Sequence, residues 1–383
     1  MGEWREGYFC EIADIIMGQS PKGEFCNSDG NGTPLLNGPT EFGIKFPVPI
    51  QYTTEVKKIS NINDILFCVR GSTTGRMNWS NIEYAIGRGL ASIRHKKGEQ
   101  YRYFLKGILD FNLPNLLSSA TGSTFPNVSR SQLEELKILI PPLKEQKAIA
   151  EVLSSLDDKI DLLHRQNKTL EELAQTLFRQ WFIEEDFDGK IGDIIDLQSG
   201  YAFKSKNFTD SGTNRVIKIK NISNATIDIV NTDFIDIEIA KNTNKKFKIT
   251  SGDILFGMTG ANIGKMGIVP KNNLNLWLNQ RVGLVKEKYK NTKYLAYLHL
   301  ISEYGFDYIE NTASGSAQPN ISATDIAKCP FPKLTSNEIQ KYSNQVAPHF
   351  EKIIFNLGQI QTLENMRDTL LPKLMSGEMK VTY

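Results

Sequence analysis

Apolar residues recur through positions 149 to 181 with a helical period. Ile149, Leu153, Leu156, Ile160, Leu163, Asn167, Leu170, Ala174, Leu177 and Trp181 fall at alternating steps of four and three. A heptad seam sustained over more than four repeats predicts a coiled-coil helix. A second seam near the C-terminus keeps Val346, Ile353, Ile360, Leu363, Leu370 and Leu374, but His349, Asn356 and Arg367 interrupt it, and Pro348 is expected to kink or delay the helix. Pro141-Pro142 and Pro330-Phe331-Pro332 punctuate the chain just before the two seams. At 1.5 Å per residue, helices of about 40 residues reach roughly 60 Å, which suits a rigid spacer better than the core of a small domain. The simplest packing sets the two helices against each other. Asn167 in the first seam reads as a register-fixing polar position, and Trp181 and Phe182 as packing anchors at the helix end.

Elsewhere the pattern is different. Residues 1–142 and 184–334 are rich in Gly, Asn, Ser and Thr, with short β-branched runs such as 216–222 and 226–230. They predict α+β domains of many short strands and loops. The expected organisation is therefore domain 1–142, helix 143–183, domain 184–334, and helix with tail 335–383.

The two halves also repeat one another. Asp64-Ile65-Leu66-Phe67 returns as Asp253-Ile254-Leu255-Phe256, Gly71 and Gly75-Arg76 as Gly260 and Gly264-Lys265. Positions 85–93 (AIGRGLASI) line up with 277–285 (WLNQRVGLV), and 120–129 with 313–322. At the front, Asp14-Ile15-Ile16 is aligned with Asp193-Ile194-Ile195, and Gln19-Ser20 with Gln198-Ser199. So many matches in one order indicate a tandem duplication of about 190 residues. The same spacing aligns the closing stretch 378–381 with 185–188, so the tail is expected to pack on the first domain.

Composition narrows the function. No apolar run approaches the roughly 18 residues of a membrane span, and the opening residues lack a signal-peptide core, so a soluble cytoplasmic protein is expected. Cys10, Cys26, Cys68 and Cys329 are dispersed, and His95, His164, His299 and His349 have no metal spacing. The segment from Gly260 to Lys265 has one residue too few between its glycines for a phosphate-binding P-loop, and Gly71 to Arg76 has no Lys. Acids such as Asp157-Asp158 and Glu171-Glu172 are read as a solvated outer helix face. No catalytic constellation emerges, which points to a binding or scaffolding chain.

The 383 residues carry 45 basic and 43 acidic side chains, a balance that gives no direct sign of a polyanionic partner. Locally, however, Arg88, Arg94, Lys96, Lys97, Arg102 and Lys106 face only Glu99, and Arg281, Lys286, Lys288, Lys290 and Lys293 face only Glu287. Two basic runs at matching repeat positions suggest phosphate contacts. Beside them the sequence places loops dense in short hydrogen-bonding side chains, with candidates Gln19, Ser20, Lys22, Arg70, Ser72, Thr73, Thr74, Arg76, Ser123 and Asn127 in the first copy. Their counterparts are Gln198, Ser199, Thr259, Asn262, Lys265, Ser316, Gln318 and Asn320. Such side chains read base edges and hold phosphates, and equally form ordinary turns. A duplicated reader on an antiparallel helix pair would have a pseudo-two-fold axis and suit double-stranded DNA with a bipartite, asymmetric site.

The Pro-Pro-Leu-x-Glu-Gln helix start (Pro141 to Gln146), the helix end Leu177-Phe178-Arg179-Gln180-Trp181-Phe182 and the closing Leu370 to Glu378 resemble the specificity (S) subunit of type I restriction-modification systems. The resemblance covers essentially the whole chain. It implies two target recognition domains, each reading half of an interrupted DNA site, and helices that act as a ruler and dock two modification (methyltransferase) subunits. Those subunits would use S-adenosylmethionine to methylate adenine. Restriction subunits using ATP and Mg would join them, and this chain itself would carry no cofactor and no catalytic residue. A near-neutral chain of this kind is expected to hold DNA weakly alone. The rival readings are a self-contained methyltransferase or nuclease, and a coiled-coil adaptor without DNA contact.

Overall fold

The computed structural model describes residues 3–119, 126–182, 186–315 and 319–381. The chain is α+β, and its contacts divide it into two compact units, Met1–Asp161 with Leu363–Tyr383, and Leu162–Thr362. Each unit therefore holds one strand-rich domain and a segment of both long helices, Leu143–Phe182 and Ser336–Met375.

In the first unit, Ala13–Met17, Leu90–His95, Ile65–Cys68 and Met77–Trp79 form an antiparallel sheet in that order. A second sheet runs Cys26–Asn27, Gln51–Thr53, Thr33–Leu36, Tyr84–Ile86 and Ile59–Ser60, with its third and fourth strands parallel. The helix Arg102–Ser118 packs with the first sheet and both long helices in one core that includes Phe67, Ile93, Leu109, Leu153 and Leu374. The tail joins it: Val381 packs on that core, and Met379 donates its amide to Lys373 O at 3.0 Å.

The second unit repeats this plan. Ile195–Ser199, Val282–Glu287, Ile254–Gly257 and Met266–Ile268 make the corresponding sheet, which the hairpin Ile222–Ser223 and Thr226–Ile227 extends to six strands. Its core gathers Phe178, Phe182, Phe256, Leu295, Phe331 and Phe350. Trp181 stacks on Tyr342 with ring centroids 4.5 Å apart.

Within each unit the two long helices run antiparallel. In the first, Arg367 pairs with Asp157 at 3.1 Å; in the second, the fully buried Asn356 donates to Asn167 Oδ1 at 2.9 Å. Two expectations change here. The second helix starts at Ser336 and continues through Pro348 without delay, its start capped reciprocally by Thr335 and Glu338. The helix acids are also only in part a solvated face: Glu172 is exposed, but Asp158 accepts from Lys45 at 3.0 Å and Tyr103 at 3.2 Å, and Glu171 from Tyr297 at 2.7 Å. The Asp158 and Glu171 carboxylates tie helix to domain, so charge in the sequence marks a joint there.

Candidate nucleic-acid interface

Where the strand Ile65–Cys68 ends, its antiparallel neighbour Leu90–His95 begins, so the loops at 69–76 and 86–89 meet at one end of the sheet. Val69 N–H donates to Gly89 O at 2.9 Å, Gly75 to Cys68 O at 2.8 Å, and Val128 to Val69 O at 2.9 Å. Gly18 and Gln19 add amide bonds to Leu90 O and Ile86 O, both 2.9 Å, and Arg70 bridges to Asn127. The second unit reproduces every one of these contacts. Met258 donates to Arg281 O, Gly264 to Gly257 O, Ile321 to Met258 O, Gly200 to Val282 O and Tyr201 to Leu278 O, while Thr259 bridges to Asn320. The repeated glycines serve this backbone: Gly71 and Gly75 have φ of 93°, Gly260 and Gly264 have 67° and 74°. Those values lie where side chains are disfavoured, so the Gly-x-x-x-Gly spacing encodes a turn.

On this frame the first unit presents Gln19, Lys22, Arg70, Ser72, Arg76 and Arg88 to solvent, with Ser20, Thr73 and Asn127 half-buried. Arg70, Arg76 and Arg88 have no side-chain partner among the described residues, leaving three guanidinium groups at one sheet end. Thr74 is buried, its hydroxyl 2.8 Å from both Gly71 O and Pro126 O, which binds two loops together. The second unit exposes Lys265, Arg281 and Asn320, with Thr259 and Asn262 half-buried and Lys265 Nζ 2.9 Å from Asn262 Oδ1. Ser123, Ser316 and Gln318 lie outside the described residues.

Residues 1–172 and 184–364 both match the type I restriction modification DNA specificity domain. The chain belongs to that family. It is similar to specificity subunits of Methanocaldococcus jannaschii. One, the putative type I restriction enzyme MjaX subunit, is 37% identical over 163 residues, 43% of this chain and 38% of the relative. The MjaIX subunit is 28% identical over 77% of this chain and 72% of its own, and the MjaVIII subunit 27% over 86% and 82%. Thus the first alignment spans well under half of its relative, the other two most of theirs. The fold is also that of the S subunit from M. genitalium, with a TM-score of 0.60, 18% identity, and coverage of 97% of this chain and 96% of that one. The chain is a DNA specificity subunit with two target recognition domains, a non-catalytic component of its system.

The specificity subunit uses several of the candidate residues differently from the sequence reading. Strand register pairs Met17 with Ala91 and Ser199 with Gly283, so Gln19 corresponds to Tyr201, and the front-end alignment is shifted by three residues. Gln198 and Ser199 consequently sit inside a strand, Gln198 donating to Lys246 O at 2.9 Å and Ser199 to Met258 Sδ at 3.6 Å. Lys96 and Lys97 follow the far end of the strand that Arg88 precedes. Six residues at about 3.3 Å each put them roughly 20 Å from the loop cluster. There the basic runs are built into the fold. Lys96 Nζ donates to Cys10 O at 2.6 Å, Lys288 Nζ to Gly192 O at 2.5 Å, and Arg102 to Asn63 Oδ1 at 2.5 Å. Arg94 pairs with Asp64 at 2.7 Å; burial nonetheless holds that carboxyl above its usual range, against the bonds from Ser92, Asn61 and Arg94.

The sequence reading missed Tyr201, Asn279 and Gln280 at the second loop cluster, and Asn37 and Gln51 at the first. Tyr201 and Gln280 are exposed, and Asn37 Nδ2 donates to Gln51 Oε1 at 2.8 Å beside the turn at Gly87. The signal for Asn279 and Gln280 was present in the alignment of 85–93 with 277–285, which sets them opposite Gly87 and Arg88.

Proposed function

We propose that this specificity subunit reads a bipartite, asymmetric site on double-stranded DNA, each loop cluster contacting one half. In this reading the recognition domains are 1–142 and 184–334, and the helical segments 143–183 and 335–383 set the unread spacer and dock two modification subunits. Those subunits supply S-adenosylmethionine chemistry, restriction subunits that use ATP and Mg complete the complex, and all of it acts in the cytoplasm. The supporting observation is the duplicated loop cluster, identical in backbone bonding but different in side chains, with Arg70, Arg76 and Arg88 unpaired on the first copy. One scaffold carrying two sets of hydrogen-bonding groups suits two unlike half-sites.

The test is to co-express the chain with its modification subunit and map methylated adenines. Two short motifs at a fixed separation are expected, and exchanging residues 1–142 for another such domain should change one motif only. Methylation without a bipartite motif, or change in both halves, overturns the reading.

A further inference from the structure

The duplicated frame ends in a duplicated turn. Leu90 N–H donates to Gly87 O at 3.1 Å and Val282 N–H to Asn279 O at 2.9 Å, so Arg88-Gly89 and Gln280-Arg281 occupy the two central positions of the same four-residue turn. The first central amide is held in each copy: Arg88 N–H by Ser20 Oγ at 3.1 Å, Gln280 N–H by Tyr201 O at 3.0 Å. Both side chains are exposed and have no intramolecular partner among the described residues. The protein thus holds one backbone position fixed twice and places a guanidinium on it once and a carboxamide once.

We propose that Arg88 and Gln280 are equivalent base-reading positions, Arg88 taking a guanine in one half-site and Gln280 an adenine in the other. This rests on the duplex-reading function proposed above. A guanidinium offers two parallel N–H donors that match guanine O6 and N7; a carboxamide offers one acceptor and one donor that match adenine N6–H and N7. A carboxamide can also donate to a phosphate oxygen, but it adds no charge there, so a guanidinium in one copy and a carboxamide in the other at one fixed backbone position differ chiefly in the base edge they match. Arg281, the second central residue, supplies the cation on that turn and is left for the phosphate backbone.

The experiment maps methylated sites for the chain co-expressed with its modification subunit, as wild type, Arg88→Gln, Gln280→Arg and Arg88→Ala. The turn already carries Gln in its second copy, so Arg88→Gln preserves the backbone. The wild-type motif should contain a G·C pair in one half that becomes A·T in Arg88→Gln, with the other half and the spacer unchanged. Gln280→Arg should convert one A·T pair to G·C in the opposite half, and Arg88→Ala should relax its position to any base. Each exchange should shift the ratio of methylation rates at the two competing sites by about 5- to 150-fold. Uniform weakening at all sites with an unaltered motif assigns Arg88 to phosphate and overturns the proposal, as does a change in the wrong half. If the wild-type complex methylates no bipartite site, the underlying duplex-reading function fails instead.

Discussion

Arg76 and Lys96 are both exposed cations of one domain, yet only Arg76 stands on the loop cluster without a partner; Lys96 holds Cys10 O. Each phosphate contact contributes about one unit to the slope of log affinity against log salt. Arg70→Ala with Arg76→Ala should therefore reduce that slope by about two in the assembled complex, whereas Lys97→Ala at the far strand end should leave it unchanged. Titrations of DNA binding at several salt concentrations check this, and an equal effect of Lys97→Ala would relocate the interface. The basic runs were visible in the sequence, but their split was not, because it depends on which strand end each residue occupies. A second residue-scale consequence concerns His299, buried against Phe331 and Phe187 with Nε2 2.8 Å from Pro330 O and 3.5 Å from Cys329 Sγ. Burial pushes its pKa down to about 4 and the Cys329 thiol up to about 12. The imidazole is neutral in the fold, and the unfolded chain, titrating near 6.5, takes up the extra proton. Stability is therefore full above pH 6.5 and falls by about 3 kcal/mol as pH drops through 4. His299→Gln should flatten that decline in urea unfolding followed between pH 7 and 4; an unchanged slope would place the acid sensitivity elsewhere, with His95, also lowered by burial, the next group to replace.

Among the elements, the long helices were the most legible, since a 3.5-residue period states its structure directly. Their polar interruptions were not, because a sequence does not say which face meets which partner. Arg367 and Asn356, read only as irregularities, answer Asp157 and Asn167 across the helix pair. Asn356 is fully buried, so replacing Asn167 by Leu leaves its amide only the longer bond to Gln166 Oε1 at 3.4 Å and should cost about 1–3 kcal/mol, while replacing both by Leu should restore or exceed wild-type stability. Hydrogen exchange of the amides around Asn167 measures both. Equal losses in the single and double variants would mean that the pair makes no specific contribution. The strand-rich domains were legible as a class and as a repeat, but the front register slipped by three residues. Two short Asp-Ile-Ile runs matched as letters, whereas hydrogen bonding aligns Asp14 with Asp196, opposite Arg94 and Lys286.

For the whole molecule, charge is nearly balanced, and Lys96, Arg102 and Lys288 of the two basic runs are held by bonds within the fold, away from the loop clusters. The spacer role proposed for the helices is tested by changing their length. Lengthening only the first helix should fail as a test of spacing. The Asp157–Arg367 pair lies in the first unit and the Asn167–Asn356 pair in the second, and an unmatched insertion between them puts the two helices out of register. Matched insertions of seven residues, one between Asp157 and Asn167 and one between Asn356 and Arg367, keep both contacts and the heptad phase. They add about 10 Å of helix and turn it by only about 20° relative to a perfect heptad. At 3.4 Å per base pair the methylated motif should gain about three unread pairs while both half-sites stay as they were. A single insertion should instead lower methylation at every site. If the matched pair of insertions left the spacer unchanged, the helices would be a docking surface without a measuring role, and the spacing would have to arise from the modification subunits.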